Sequence, residues 1–111
     1  MLRRTKRLDR SRFQIVRRSS LVVTNNGLSM RFSRSSAGGR FSVVIPSVAA
    51  PLAVSRNTLR RRIYEILHSI HPLPTLEGVI YLRKETPTSY IKLQPLVVGL
   101  VTEAMKRLKL E

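Results

Sequence analysis

Cysteine is absent from this chain of 111 residues, which excludes disulfides and thiolate metal sites and fits a reducing cytoplasm. Acids are scarce. Asp9, Glu65, Glu77, Glu85, Glu103 and Glu111 are all there are, and no two have the spacing of a general acid–base couple. The only histidines, His68 and His71, stand near a helix end without the cysteine or clustered carboxylates that would complete a zinc site. No apolar run approaches the roughly 20 residues that span a bilayer. No glycine-rich phosphate loop occurs, because Gly38-Gly39 reads as a flexible turn. Serines cluster over residues 33–36 without a nucleophile motif, and no internal repeat is visible. The polypeptide has no visible catalytic apparatus, binds no metal or cofactor by these signals, and reads as a soluble protein.

Positive charge is what the chain has in excess. Lys and Arg number 21 against 6 acids, giving a net charge of +15 and a sequence pI near 11.8. Such an excess strains a compact monomer by self-repulsion unless an anionic partner offsets it. Nucleic acid is the first candidate and an anionic membrane surface the second. With 42% hydrophobic residues the chain is no disordered basic tail, and its length suits one domain over residues 1–111. Residues 1–8 form a basic arm holding Arg3, Arg4, Lys6 and Arg7. No apolar segment of a secretory signal follows it, and Asp9 interrupts the run.

The densest charge lies at residues 56–62, where four arginines and an asparagine occupy seven positions. The same stretch keeps an apolar stripe of Leu59, Ile63, Ile66, Leu67 and Ile70 at helical spacing. Arg56 and Arg60 are one turn apart on another face, flanked by Arg61 and Arg62. A solvated basic face is the ordinary meaning of such a pattern. Here only Glu65 offsets the charge locally, and the cations are arginines, whose planar fork suits bidentate phosphate recognition. A helix apolar on one side and cationic on the other is suited to a polyanion.

Other elements follow from local signals. Asp9 or Ser11 caps a short helix to about Arg18, with Leu8, Phe13 and Val16 inward. A strand at 20–24 leads into Asn25-Asn26-Gly27, a hairpin turn signal. Residues 28–34 alternate, with Leu28, Met30 and Phe32 inward and Ser29, Arg31 and Ser33 outward. A third strand covers 40–45 and ends at Pro46, and the arginine-rich helix runs over about 55–70, stopped by Pro72 and Pro74. The continuously apolar run at 78–83 reads as a central strand. The last helix carries Leu96, Val97, Leu100, Val101, Ala104, Met105 and Leu108, with Pro95 in its first turn. The order αβββαβα argues an α+β fold, a two-layer sandwich of a mainly antiparallel four-stranded sheet packed with helices.

These residues together resemble the bacterial ribonuclease P protein component. The family's helix opens Arg-Asn-Arg-hydrophobic-basic-basic; here Arg56-Asn57-Thr58-Leu59-Arg60-Arg61 stands in its place, after the strand Arg40-Phe41-Ser42-Val43-Val44-Ile45. Lys6-Arg7-Leu8 and Phe13 resemble the family's opening, and the order of elements matches over nearly the whole chain. Three departures stand out. Thr58 replaces the Arg usual at the motif's third position, Arg17 replaces a second aromatic of the first helix, and Pro46-Ser47-Val48 occupies the region of a basic pair.

The resemblance implies a left-handed βαβ crossover, which the general right-handed rule would not predict. It implies two partners, a catalytic RNA and precursor tRNA, with magnesium acting through the RNA, no membrane and no obligate protein partner. Arg56, Asn57, Arg60, Arg61 and Arg62 would meet the catalytic RNA. Phe13, Arg17, Arg31 and Tyr81 would line a cleft for the 5′ leader. From spacing alone Phe13 fits a core position equally well, and Phe32 and Phe41 fit the core better. A ribosomal or other structural RNA-binding protein shares the size and basicity. A membrane-surface binder would need exposed apolar helix faces, whereas these stripes are committed to a core.

Overall fold

Alternation along the strands sets the architecture. The computed structural model describes residues 7–35, 38–70, 75–83 and 86–108. Its elements are α1 (Arg10–Val16), β1 (Val22–Asn25), β2 (Leu28–Arg34), β3 (Arg40–Val44), α2 (Ala53–Ser69), β4 (Leu76–Leu82) and α3 (Tyr90–Leu108). The sheet order is β1-β2-β4-β3, antiparallel except for the parallel β3–β4 pair. That parallel pair requires the crossover through α2. The order of elements and the central place of β4 agree with the sequence reading.

The hairpin is explained by its turn. Asn26 and Gly27 both take positive φ, 44° and 90°, which Asn and Gly tolerate and most residues do not. A Cβ on Gly27 would also meet the Thr86 backbone at 3.1 Å. Thr86 closes this corner: its hydroxyl donates to the Gly27 carbonyl (2.6 Å) and accepts from the Arg83 N–H (2.9 Å). The exit of β4 is thereby tied to the β1–β2 turn.

One sheet face carries the main core. Leu28, Met30, Phe32, Phe41, Val43, Ile80 and Leu82 point to it, opposite Leu59, Ile63, Ile66 and Leu67 of α2 and Leu93, Val97, Leu100 and Val101 of α3. The other face alternates with it and holds Ser29, Arg31, Ser33, Glu77, Val79, Tyr81, Arg40 and Ser42 by the strand register. Helix α1 packs on that second face, against β4 and β2. Val16 and Val79, both fully buried, lie there, outside the main core cluster. The sandwich of sheet and two helices therefore gains a third partial layer.

The largest difference from expectation is in α3. Pro95 was expected in its first turn, yet the helix starts at Tyr90 and Pro95 lies inside it. Ser89 supplies the reason, since its carbonyl accepts from the Leu93 N–H (2.9 Å) and its hydroxyl from the Lys92 N–H (3.3 Å). Burial of Leu93 holds the extra turn against the core. Among the described residues no helix is long and apolar enough to cross a membrane.

Leu59 is 4% exposed at the base of α2 and belongs to the core cluster. Leu59→Ala should therefore cost about 2–5 kcal/mol through the cavity it leaves. Urea unfolding of the two proteins measures it, and a loss under about 1 kcal/mol would contradict this packing.

Candidate nucleic-acid interface

Helix α2 buries its apolar stripe, and this turns its arginines outward to different degrees. Arg61 and Asn57 are exposed, whereas Arg56, Arg60 and Arg62 are half-buried. Arg56, expected on the open face, instead donates through Nη1 to the carbonyls of Ala50 and Pro51, both at 2.9 Å. It thus holds the turn that feeds the helix, whose own N-cap, Leu52, has no side-chain hydrogen bond. Arg62 reaches across to the Thr88 carbonyl at 2.6 Å, ahead of α3. Arg60 bonds the Asn57 side-chain oxygen at 3.2 Å. Thr58, at the motif's third position, bonds its hydroxyl back to the Val54 carbonyl (3.0 Å).

The end of the basic arm lies beside this helix. The Leu8 N–H donates to the Phe41 carbonyl (3.1 Å), and Arg7 forms a parallel bridge with Phe41 on the free edge of β3. The Arg7 guanidinium sits 5.3 Å above the Tyr64 ring, a cation–π distance. Arg7, Asn57, Arg60, Arg61 and Tyr64 together line a hollow of about 310 Å³. Arm and motif helix, 50 residues apart in sequence, form one cationic concavity. Arg3, Arg4 and Lys6 lie outside the described residues, as does His71.

The remaining candidates gather on the opposite layer. Phe13 is half-buried on α1 and absent from the main core cluster, and Arg17 is exposed at that helix's C-cap. Arg31 and Tyr81 are half-buried on the same sheet face that α1 covers in part. Arg31 is held by the Ser19 carbonyl at 2.6 Å, in the segment just after α1.

A contact that the sequence reading missed lies between these elements. Arg12 grips Glu77 with Nη2 to Oε1 at 2.6 Å and Nε to Oε2 at 2.9 Å. The Glu77 side chain is 6% exposed, while that of Arg12 is 39% exposed. The hydrogen bond to Glu77, then its charge, raise the Arg12 pKa further above the ordinary arginine value. A lone acid within the apolar run Leu76–Leu82 was the signal, because a buried carboxylate calls for a cationic partner. Among the described residues no group of three or more His, Cys, Asp or Glu side chains is placed to hold a metal ion.

Comparisons with known proteins agree with this geometry. The family model Ribonuclease P matches residues 2–104. The fold is similar to the RNase P protein of Staphylococcus aureus, with a TM-score of 0.74 and 18% identity over 89% of this chain and 94% of that one. It is also similar to the RNase P protein from Thermotoga maritima, with a TM-score of 0.75 and 19% identity over 87% and 96%. A comparison with curated protein sequences gave no match. The chain belongs to the ribonuclease P protein family, the RNA-binding protein subunits of a tRNA-processing ribonucleoprotein.

The arginines of α2 should separate by stability alone. Arg56→Ala removes two bonds to backbone carbonyls and should cost about 1.5–3 kcal/mol. Arg61→Ala, at an exposed position, should stay within about 0.5 kcal/mol of the parent. Denaturation midpoints of both variants check this, and equal midpoints would contradict the hold of Arg56 on the turn before α2.

Proposed function

We propose that this chain docks on the catalytic RNA of ribonuclease P through the hollow between its basic arm and α2. In the same complex the outer sheet face beside α1 takes the single-stranded 5′ leader of precursor tRNA. Hydrolysis belongs to the RNA and its magnesium ions, and the protein supplies binding in the cytoplasm. The observation that carries the reading is the separation of the two surfaces. The cationic hollow is built on α2 and the β3 edge, while Phe13, Arg31 and Tyr81 lie on the opposite side of the sheet.

On the first surface Arg60, Arg61 and Arg7 meet phosphates, Asn57 keeps its side-chain N–H groups for a base, a phosphate or the backbone while its oxygen accepts from Arg60, and Arg56 and Arg62 add charge from half-buried positions. On the second, base–aromatic stacking on Phe13 contributes roughly 1–3 kcal/mol and tolerates any sequence, which suits leaders that differ between transcripts. Arg17, Arg31 and Tyr81 border that path. Arg17 stands where the family resemblance implies an aromatic, and its guanidinium plane can stack on a base in its place. Reconstitution with a bacterial ribonuclease P RNA at low magnesium is the direct test. Cleavage of precursor tRNA that depends on this protein supports the reading, and RNA binding without any gain in cleavage refutes it.

Affinity for the catalytic RNA should fall linearly with salt on logarithmic axes, losing orders of magnitude between about 50 and 200 mM. Arg60→Ala with Arg61→Ala should shallow that slope by about one unit per phosphate contact removed. A slope unchanged in the double variant would move the interface elsewhere.

Phe13→Ala should weaken binding of leader-bearing precursor about five- to a hundred-fold, with little change for mature tRNA. Equal losses for both, accompanied by a lowered melting point, would return Phe13 to a packing role.

A further inference from the structure

Helix α1 has seven residues, too few to hold a helix by its own hydrogen bonds. Its position is therefore set by what it is tied to. The chain just before it is bonded to β3 through Leu8 and Phe41, and the chain just after it to β2 through the Ser19 hydroxyl and the Phe32 carbonyl (2.6 Å). Those ties fix its ends. Val16 is buried and, one turn after Arg12, lies on the same face of the helix, so it turns that face to the sheet. The Arg12 fork narrows rotation about the helix axis further, because its bonds to the two Glu77 oxygens have a planar geometry that a greasy contact lacks. Phe13 is the next residue, so the direction of Arg12 sets the direction of Phe13.

Glu77 is also the only carboxylate in the sheet. Its register neighbours are Ser33 on β2 and Arg40 on β3. The Ser33 hydroxyl and the Arg40 Nε are buried with no hydrogen-bond partner. The carboxylate is thus committed to the helix above the sheet rather than to its neighbours within it. A negative strand crossing this face would meet Glu77 as a repulsive charge if Arg12 did not cover it.

We propose that Arg12 and Glu77 are positioning residues for the leader. Their fork completes the orientation of α1, and with it the aim of Phe13, and it cancels the charge of Glu77 under the leader path. This inference rests on the reading that the outer sheet face holds the leader. The pair governs discrimination between leader-bearing precursor and mature tRNA, and it leaves docking on the catalytic RNA untouched.

The test uses the reconstituted complex with catalytic RNA and reads the ratio of affinities for leader-bearing precursor and mature tRNA. Arg12→Leu should lower this ratio about tenfold, equivalent to about 1.4 kcal/mol. Affinity for the catalytic RNA should stay within about twofold, under 0.5 kcal/mol by the same conversion. The single variant also strands a buried carboxylate, so the second variant is Arg12→Leu/Glu77→Leu. An apolar pair of this kind commonly restores stability, but it cannot reproduce the fork. Melting curves should show that recovery while the ratio stays low. Arg12→Lys, which keeps the charge without the fork, should fall between the parent and Arg12→Leu.

Recovery of the ratio together with stability in the double variant would reduce the pair to scaffolding and overturn the proposal. An unchanged ratio in both leucine variants would do the same. If either happens while Phe13→Ala still loses leader binding, only this inference falls. If Phe13→Ala loses nothing, the leader surface itself is misplaced and both readings fall.

Discussion

Strand β4 presents buried side chains to both faces of the sheet, with only Tyr81 half-exposed along its length. Neither face at this strand can be left to water, so the chain has to cover it from both sides. Helices α2 and α3 do so on one face with a continuous apolar core. On the other face the cover is a single short helix, and a carboxylate takes the place of the apolar side chain that alternation would put there. Full burial on one face and partial burial on the other leaves part of the sheet open. The uncovered remainder, bordered by α1, is the face on which Arg31 and Tyr81 lie half-buried.

The arginines have a divided role that net charge alone does not reveal. Arg31, Arg34, Arg56, Arg62 and Arg107 each donate to a backbone carbonyl of another segment. These carbonyls lie mostly at the ends of elements, where helical or ladder bonds have run out. Arg34, for example, reaches the carbonyl of Leu108, the last residue of α3, where a cation also faces the negative end of the helix dipole. Part of the positive charge thus closes the fold, and part stays directed at solvent. Arg60 and Arg61 are in the second group, beside an arm that adds Arg7 from the far end of the chain.

Elements governed by local rules could be read from the sequence. Residues 28–34 form β2 as alternation required, and the turn at Asn26-Gly27 follows from the two residues that tolerate positive φ. Leu59, Ile63, Ile66 and Leu67 of the α2 stripe are buried as their spacing demanded, and Ile70, at the helix's C-cap, is half-buried. What could not be read depended on distant partners. Nothing near Arg12 announces Glu77, 65 positions away, and nothing near Arg56 announces that its donors turn back to the preceding carbonyls. Pro95 misled for a related reason: a proline marks a first turn unless a better cap precedes it, and Ser89 does. The motif residues were legible by type, but the share of each that remains available to RNA is a property of the packing.

Both outer edges of the sheet are already engaged. On β3 the Phe41 carbonyl accepts from Leu8, and on β1 the Val22 carbonyl accepts from Arg107 at 3.1 Å. An unsatisfied edge is a template on which a second chain can add a strand, the usual first step toward aggregates. Here each edge is interrupted by a partner from the same chain, and on β1 that partner is a cation. Part of each edge is thereby closed to strand addition by another copy. The arm on β3 also joins two places, because the segment that blocks the edge carries a guanidinium of the cationic hollow.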